Sequence, residues 1–449
     1  MNYKLISEPE TNRDVLEQVL INRGVNKDDL KNYFMAATCG EAKNINSPET
    51  LGIKPLEEAA SALLHTISGN KECIIIVDCD YDGFGSSALL TNYLHDLFPR
   101  WTENHVTFFL HDGKQHGLAD FMPNLESMNT DNIRLIITPD SSSNDYECHK
   151  KLKEKGITVL ILDHHEADKI SDDAIVINNQ LSDYPNKSLA GTGVTWQFCR
   201  YIDSILNRNN ADKYIDIVGM TQISDMMDLR NIETRTLVTL GTKYDNLENP
   251  FIAGMADKNA YSLRKMANLQ QEDDYITPMG AAFYIVPLVN ATIRSGTMEE
   301  KRLLFDSMLN HKAFTEILSN KRGHKLGEKE RVIDQALRMV TNVKNRQTKA
   351  EKVALDYVDE LIEKRGLWNN KVLLFLLDKD DAQKVPPNIG GLVANRIMGK
   401  YQRPCCMLRR IEKDGKVSYQ GSARGCNKTG VTDFKDICAA TLVCDYVAG

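Results

Sequence analysis

The sequence predicts an α/β protein in which a parallel-sheet domain is joined by a long helix to a smaller α/β domain. Three observations carry this reading. Between Lys71 and about Asp228, short apolar runs alternate with stretches of helical periodicity, the signature of repeated βα units. The first run, Cys73 to Val77, is continuous in the way buried parallel strands are, and it ends in Asp78, Asp80 and Asp82. Late in the chain, Lys329 to Lys364 keeps apolar residues at helical spacing with no proline, which suits a stiff connector.

Taken in order, residues 1–70 mix polar stretches with helical pairs such as Val15-Leu16 and Leu63-Leu64. They are expected to form helices beside the first strand. Residues 71–328 form the larger domain, whose second half reads as helical. After the opening strand come Val106 to Leu110, Ile133 to Thr138, Thr158 to Leu162 and Ala174 to Ile177. The glycines and serines from Gly83 to Ser87 read as a turn into a helix at Ala88. Residues 329–365 form the connector helix and residues 366–449 the second domain. There, Lys371 to Leu377, Pro404 to Leu408 and Tyr419 to Gly425 read as strands, and Gly390-Gly391 opens a helix.

At 449 residues the chain exceeds one ordinary core, and 42% hydrophobic with 26% charged residues are globular values. No run approaches the roughly 18 apolar residues a membrane span needs, and the first residues are polar, so a cytoplasmic protein without a membrane partner is expected. The ten cysteines show no paired C-x-x-C spacing, which fits structural thiols better than disulfides or zinc. The net charge of -7 excludes a uniformly basic coat but not a local basic groove.

The chemistry lies at the strand ends. Asp140 follows the run from Ile133, Asp163-His164-His165 follow the run from Thr158, and Asp225 follows a more helical stretch from Ile215. A single aspartate after a strand is more often a helix cap than a ligand. Several successive segments with acid or imidazole at one sheet edge form a different pattern. Asp78, Asp80 and Asp82 repel one another and need a neutralising cation. Oxygen ligands favour Mg²⁺ or Mn²⁺, and an imidazole favours Mn²⁺ over Ca²⁺. Asp78, Asp80, Asp82, Asp140, His164 and Asp225 suffice to bridge two such ions, which clamp a phosphoryl displacement when about 3.5–4 Å apart. Elsewhere, the basic run Asn320 to Arg331 reads as a solvated face, with phosphate tracking as the alternative. Gly390-Gly391 offers a helix start to phosphate, and Arg424 among small residues offers a bidentate grip.

The stretches VDCDYDGFGSS, ITPDSSSN, LDHHEAD and QISDMMDL resemble, in order, the four motifs of the DHH phosphoesterase superfamily. Within it the chain is most similar to the RecJ-like single-strand-specific DNA exonucleases. NNQLSDYPNKSLAGTGVTW, PLVNATIRSG, IGGLVANRIMGKYQRPCCML and GSARG support that branch. The resemblance implies Asp80, Asp82, Asp140, His164 and Asp225 as ligands of two Mn²⁺ or Mg²⁺ ions. Asp78 joins them, because Ile76 stands where some relatives carry histidine. It further implies His165 at the scissile phosphate, Asp163 orienting His164 or His165, and Asn290, Arg294, Arg396, Ser422 and Arg424 as substrate contacts.

The implied activity is 5′ to 3′ hydrolysis of single-stranded DNA guided by a cleft between lobes, with other DNA-processing proteins as partners. Two departures stand out. Ser141-Ser142 follow Asp140 where many relatives carry a glycine-containing turn. The chain ends at Gly449, about where the family's glycine-histidine stretch begins, so the DHH-associated domain is expected to be incomplete. Rival readings are a phosphodiesterase for short oligonucleotides or cyclic dinucleotides, and a catalytically silent binding protein of the same fold.

Overall fold

A computed structural model describes residues 14–38, 42–113, 116–267, 274–378, 380–413 and 416–430, together with residue 434. The chain divides into two compact units, Met1–Val340 and Thr341–Gly449.

The first unit is built on five strands: β1 (Glu72–Val77), β2 (Val106–Leu110), β3 (Ile133–Pro139), β4 (Thr158–Asp163) and β5 (Ile175–Asn178). All pair in parallel in the order β2-β1-β3-β4-β5. β1, β3 and β4 are almost wholly buried, which is why they read as apolar runs without polar alternation. Ile74, Ile76, Ile136, Val159 and Ile161 meet Leu118, Phe121, Leu125 and Leu152 in one core cluster. The helices Tyr81–Leu97 and Gly191–Leu206 pack on each other and against the strands of the sheet. Strand order reverses between β1 and β3, the switch point at whose carboxyl edge open α/β sheets bind ligands.

Several details differ from the sequence expectation. The helix after β1 begins at Tyr81, not Ala88, with Asp80 as its N-cap accepting from the Gly83 amide. Gly83, Gly85, Ser86 and Ser87 are therefore helical and buried, selected by close packing rather than by a turn. The N-terminal helix Ile53–Ser68 packs against β3 and β5 rather than chiefly beside the first strand. The long helix spans Val332–Arg365, because Lys329–Arg331 forms β7, paired antiparallel with β6 (Glu316–Leu318).

The second unit holds β8 (Leu373–Leu377), β9 (Cys405–Lys413) and β10 (Lys416–Arg424). β8 and β9 are parallel, and β9 and β10 antiparallel. Leu373, Phe375 and Leu377 point inward in strict alternation, onto Ala354, Val358 and Ile362 of the long helix and Val393 and Ile397 of the helix Gly390–Tyr401.

Candidate metal centre

The carboxyl edge of β1, β3 and β4 gathers acidic side chains and the imidazoles of His164 and His165. β1 delivers Asp78, which is 2% exposed. The helix start then brings Asp80 and Asp82 to the same edge. Asp82 is held by a distant segment: the amides of Gly191 and Thr192 donate to its two oxygens at 2.6 and 3.1 Å, and the Thr192 hydroxyl donates at 2.5 Å. Its orientation is thus fixed.

β3 ends in Asp140, buried and in a left-handed conformation with φ of 68°. Its amide donates to the Leu162 carbonyl at 2.8 Å, tying the turn to β4. Gly191 lies so close that a Cβ there would stand 2.4 Å from Asp140 Oδ1, so only glycine admits this approach. β4 ends in Asp163, which accepts from the amides of Ser143, His164 and His165 and from His165 Nδ1, the last at 2.8 Å. Although burial opposes its charge, these bonds and the His165 ring hold Asp163 well below the usual carboxylate range.

His164 Nε2 lies 3.2 Å from Asp140 Oδ1, 3.5 Å from Asp225 Oδ2 and 3.8 Å from Asp82 Oδ2. Burial lowers its pKa, which keeps the ring neutral and able to ligate. Asp225 caps the C-terminal end of the helix Ile215–Ser224. Burial, then Asp82 and Asp80, push it up to about 8. Burial, then Asp82 and Asp78, push Asp80 up to about 6. Asp140 rises well above its ordinary value for the same reasons. For His165 burial acts against the charge, yet the Asp163 bond and carboxylate raise it to about 9.

This donor set fits divalent cations. Asp78 Oδ1, Asp140 Oδ1 and His164 Nε2 are buried without a hydrogen-bond partner, a state that costs free energy unless something positive satisfies them. Asp78, Asp80 and Asp140 present ligand atoms within 4.8 Å of one another, and so do Asp82, His164 and Asp225. Two neighbouring groups of donors suit two cations.

Asn290 sits beside the Asp225 turn, its Nδ2 3.4 Å from Ser224 Oγ and its Oδ1 buried without a partner. Arg294 is exposed, and its guanidinium lies near enough to pull down the pKa of Asp80. In the second unit, Ser422 Oγ and Arg424 Nη2 lie against Gly391 at the start of the helix Gly390–Tyr401. Arg396 is committed to Glu351, with Nε 3.1 Å from its carboxylate. The basic run Asn320 to Arg331 ends in the β6–β7 hairpin, with Arg331 paired to Asp334 and Glu330 to Arg338. The glycine-histidine expectation concerns the chain end, which lies outside the described residues.

Sequence reasoning missed three residues around this centre and one in the second unit. Gly191 and Thr192 act through backbone amides, and their signal was the small-residue run AGTG inside a stretch used only for its resemblance. His116 reaches Asp78 from the loop after β2, with Nδ1 3.7 Å from Asp78 Oδ2. Arg409 lies beside Gly390 with Nη1 buried and unpartnered.

Known proteins match the chain in sequence and in fold. Residues 72–221 match the DHH family, N-terminal domain. Over its whole length the chain is 31% identical to the SPbeta prophage-derived protein YorK of Bacillus subtilis (strain 168), covering 72% of it. That relative is named, provisionally, as a single-strand DNA-specific exonuclease. The chain is 25% identical to the single-stranded-DNA-specific exonuclease RecJ of the same bacterium, over 91% of this chain and 46% of that protein. Among solved structures, RecJ of Thermus thermophilus in complex with Mn²⁺ superposes with a TM-score of 0.59 at 19% identity, covering 89% of this chain and 51% of that one. An exonuclease RecJ bound to manganese gives 0.58 at 19% identity, over 79% and 80% of the two chains.

Proposed function

The chain belongs to the DHH family as a homologue of the RecJ single-strand-specific exonucleases, and on that premise we propose that it is a divalent-cation-dependent exonuclease degrading single-stranded DNA from 5′ to 3′. One observation carries the proposal: six ligand-type side chains, Asp78, Asp80, Asp82, Asp140, His164 and Asp225, converge at the sheet's switch point with buried donor atoms left unsatisfied. They are proposed to hold two Mn²⁺ or Mg²⁺ ions, which when bound neutralise charge on the phosphodiester and lower the pKa of water.

The chain's own residues do the rest. The Gly191 and Thr192 amides keep Asp82 oriented, so that the donor set is preorganised. Asp163 holds His165 cationic at neutral pH, at the exposed edge of the site, where the ring can bind a phosphate oxygen and donate a proton to the leaving oxygen. Asn290 and Arg294 are positioned to contact the sugar-phosphate backbone beside the same centre. In the second unit, Arg424 and Ser422 at the Gly390-Gly391 helix start offer a further phosphate contact, with Arg409 behind them. Among the described residues no helix is long and apolar enough to cross a membrane. A cytoplasmic enzyme meeting other DNA-processing proteins is the accompanying proposal.

Incubation with Mn²⁺ and 5′- or 3′-labelled single-stranded DNA, beside duplex, RNA and dinucleotide controls, tests this reading. Mononucleotide release starting at the 5′ label is expected, with duplex resistant. Cleavage confined to dinucleotides favours the short-substrate alternative, and absence of cation-dependent cleavage removes the enzymatic reading.

A further inference from the structure

Cys79 stands between two proposed oxygen ligands, yet its environment gives it other companions. Its sulfur, an oxygen of Asp78 and a ring nitrogen of His116 all lie within 4.8 Å of one another. His116 is fixed from its far side. The next residue, Gly117, adopts φ of 73°, and the Leu118 amide donates to Asp145 Oδ2 at 2.8 Å and to Ser142 Oγ at 3.1 Å. A Cβ on Gly117 would lie 2.5 Å from Asp145 Oδ2, so the clasp that joins this loop to the segment after β3 requires glycine.

The Asp78 carboxylate is 2% exposed and its Oδ1 has no hydrogen-bond partner. Its Oδ2 is 3.7 Å from His116 Nδ1, longer than a hydrogen bond. Two donors each about 2.1 Å from one tetrahedral ion stand about 3.4 Å apart. The observed separation is already close to that spacing.

We propose that Asp78, Cys79 and His116 form a separate site for one thiophilic divalent cation of the Zn²⁺ class, bordering the DHH centre. A sulfur, a nitrogen and an oxygen make a softer donor set than the carboxylates around Asp140, so Zn²⁺ or Co²⁺ is preferred here over Mg²⁺. On binding, a metal–sulfur bond replaces the thiol S–H bond and the proton leaves to solvent, with no change of oxidation state. Because Asp78 belongs to both donor groups, a cation seated here withdraws that carboxylate from the DHH centre. Zn²⁺ is therefore an inhibitor of Mn²⁺-supported cleavage that acts through Cys79, a role that rests on the exonuclease reading above.

The test uses the full chain, stripped with a chelator and refilled with Mg²⁺, then titrated with Co²⁺ in the absence of nucleic acid. Its spectroscopic half therefore stands or falls separately from the exonuclease reading. Wild type is expected to develop the near-ultraviolet thiolate-to-cobalt charge-transfer absorption. Cys79→Ser abolishes it, and His116→Ala moves it to about tenfold higher Co²⁺, the loss of one donor. Absence of the absorption in wild type, or its persistence in Cys79→Ser, overturns the site. Circular dichroism and thermal melting show that both variants fold, and in the cleavage assay each needs about tenfold more Zn²⁺ for half-inhibition of its own Mn²⁺-supported rate. Unchanged Zn²⁺ sensitivity in both variants overturns the inhibitory role.

Discussion

Glu330 and Asp140 are both carboxylates largely withdrawn from water, and the fold treats their charge in opposite ways. Glu330, on the β6–β7 hairpin, receives Arg338 through two nitrogens at 2.7 and 2.8 Å, Gln335 at 2.8 Å and Ser319 at 2.9 Å. The Arg338 bonds in particular hold its pKa down to about 2. Asp140 instead faces Asp82, Asp80 and Asp78, keeps one oxygen unpartnered, and is raised well above its ordinary value. Where a carboxylate of this protein serves the fold, a cation or a set of donors accompanies it in the chain itself. Where none does, the missing positive charge has to come from outside, and on that contrast rests the proposal that the strand-end group holds cations.

The comparison breaks most visibly in activity. Asp140→Ala is expected to lower Mn²⁺-supported cleavage of labelled single-stranded DNA by about a thousandfold or more, whereas Glu330→Gln leaves it at the wild-type rate. Comparable losses in both variants would show that the two carboxylates do not differ in kind. A smaller effect is expected from Arg424→Ala, which removes a proposed phosphate contact without touching the metal ligands. KM should rise about tenfold with kcat nearly unchanged in steady-state cleavage. A fall in kcat alone would assign Arg424 to the chemistry instead.

Stability gives the smallest but sharpest contrast. Glu330→Gln should destabilise the fold by about 1–2 kcal/mol, because Arg338 and its neighbours lose a charged acceptor near the surface. Denaturant unfolding at neutral pH measures this. The Glu330 contribution is present above its unfolded pKa of about 4.3 and is lost as pH falls through about 2.

The acids and imidazoles gathered at the strand ends were legible in sequence because a buried parallel strand is a continuous apolar run, and the first charge after it marks the sheet edge. That logic finds Asp78, Asp140 and Asp163-His164-His165. It also misplaces the helix start, since Gly83 to Ser87 have turn chemistry and become helical only through tertiary packing. Asp225 closes a helix rather than a strand, so its segment carries the weakest strand-end signal, and the motif resemblance supports the same choice. The Gly191 and Thr192 amides lie 109 and 110 positions from the Asp82 they hold, and backbone donors leave no side-chain signature. His116 follows no strand pattern, and its placement depends on a clasp between two loops.

The central claim, that the unpartnered carboxylates await divalent cations, is tested most directly by thermal melting with and without Mn²⁺ across pH. In the cation-free protein the folded pKa values of Asp80 and Asp225, about 6 and about 8, lie above the unfolded value of about 3.9. The stability tied to these groups is complete below pH 4 and is lost as pH rises through 6 and 8. Mn²⁺ should restore it, so the Mn²⁺-induced rise in Tm grows with pH in wild type and is strongly reduced in Asp140→Asn. A Tm that does not respond to Mn²⁺ at pH 8, or responds equally in Asp140→Asn, would contradict the account.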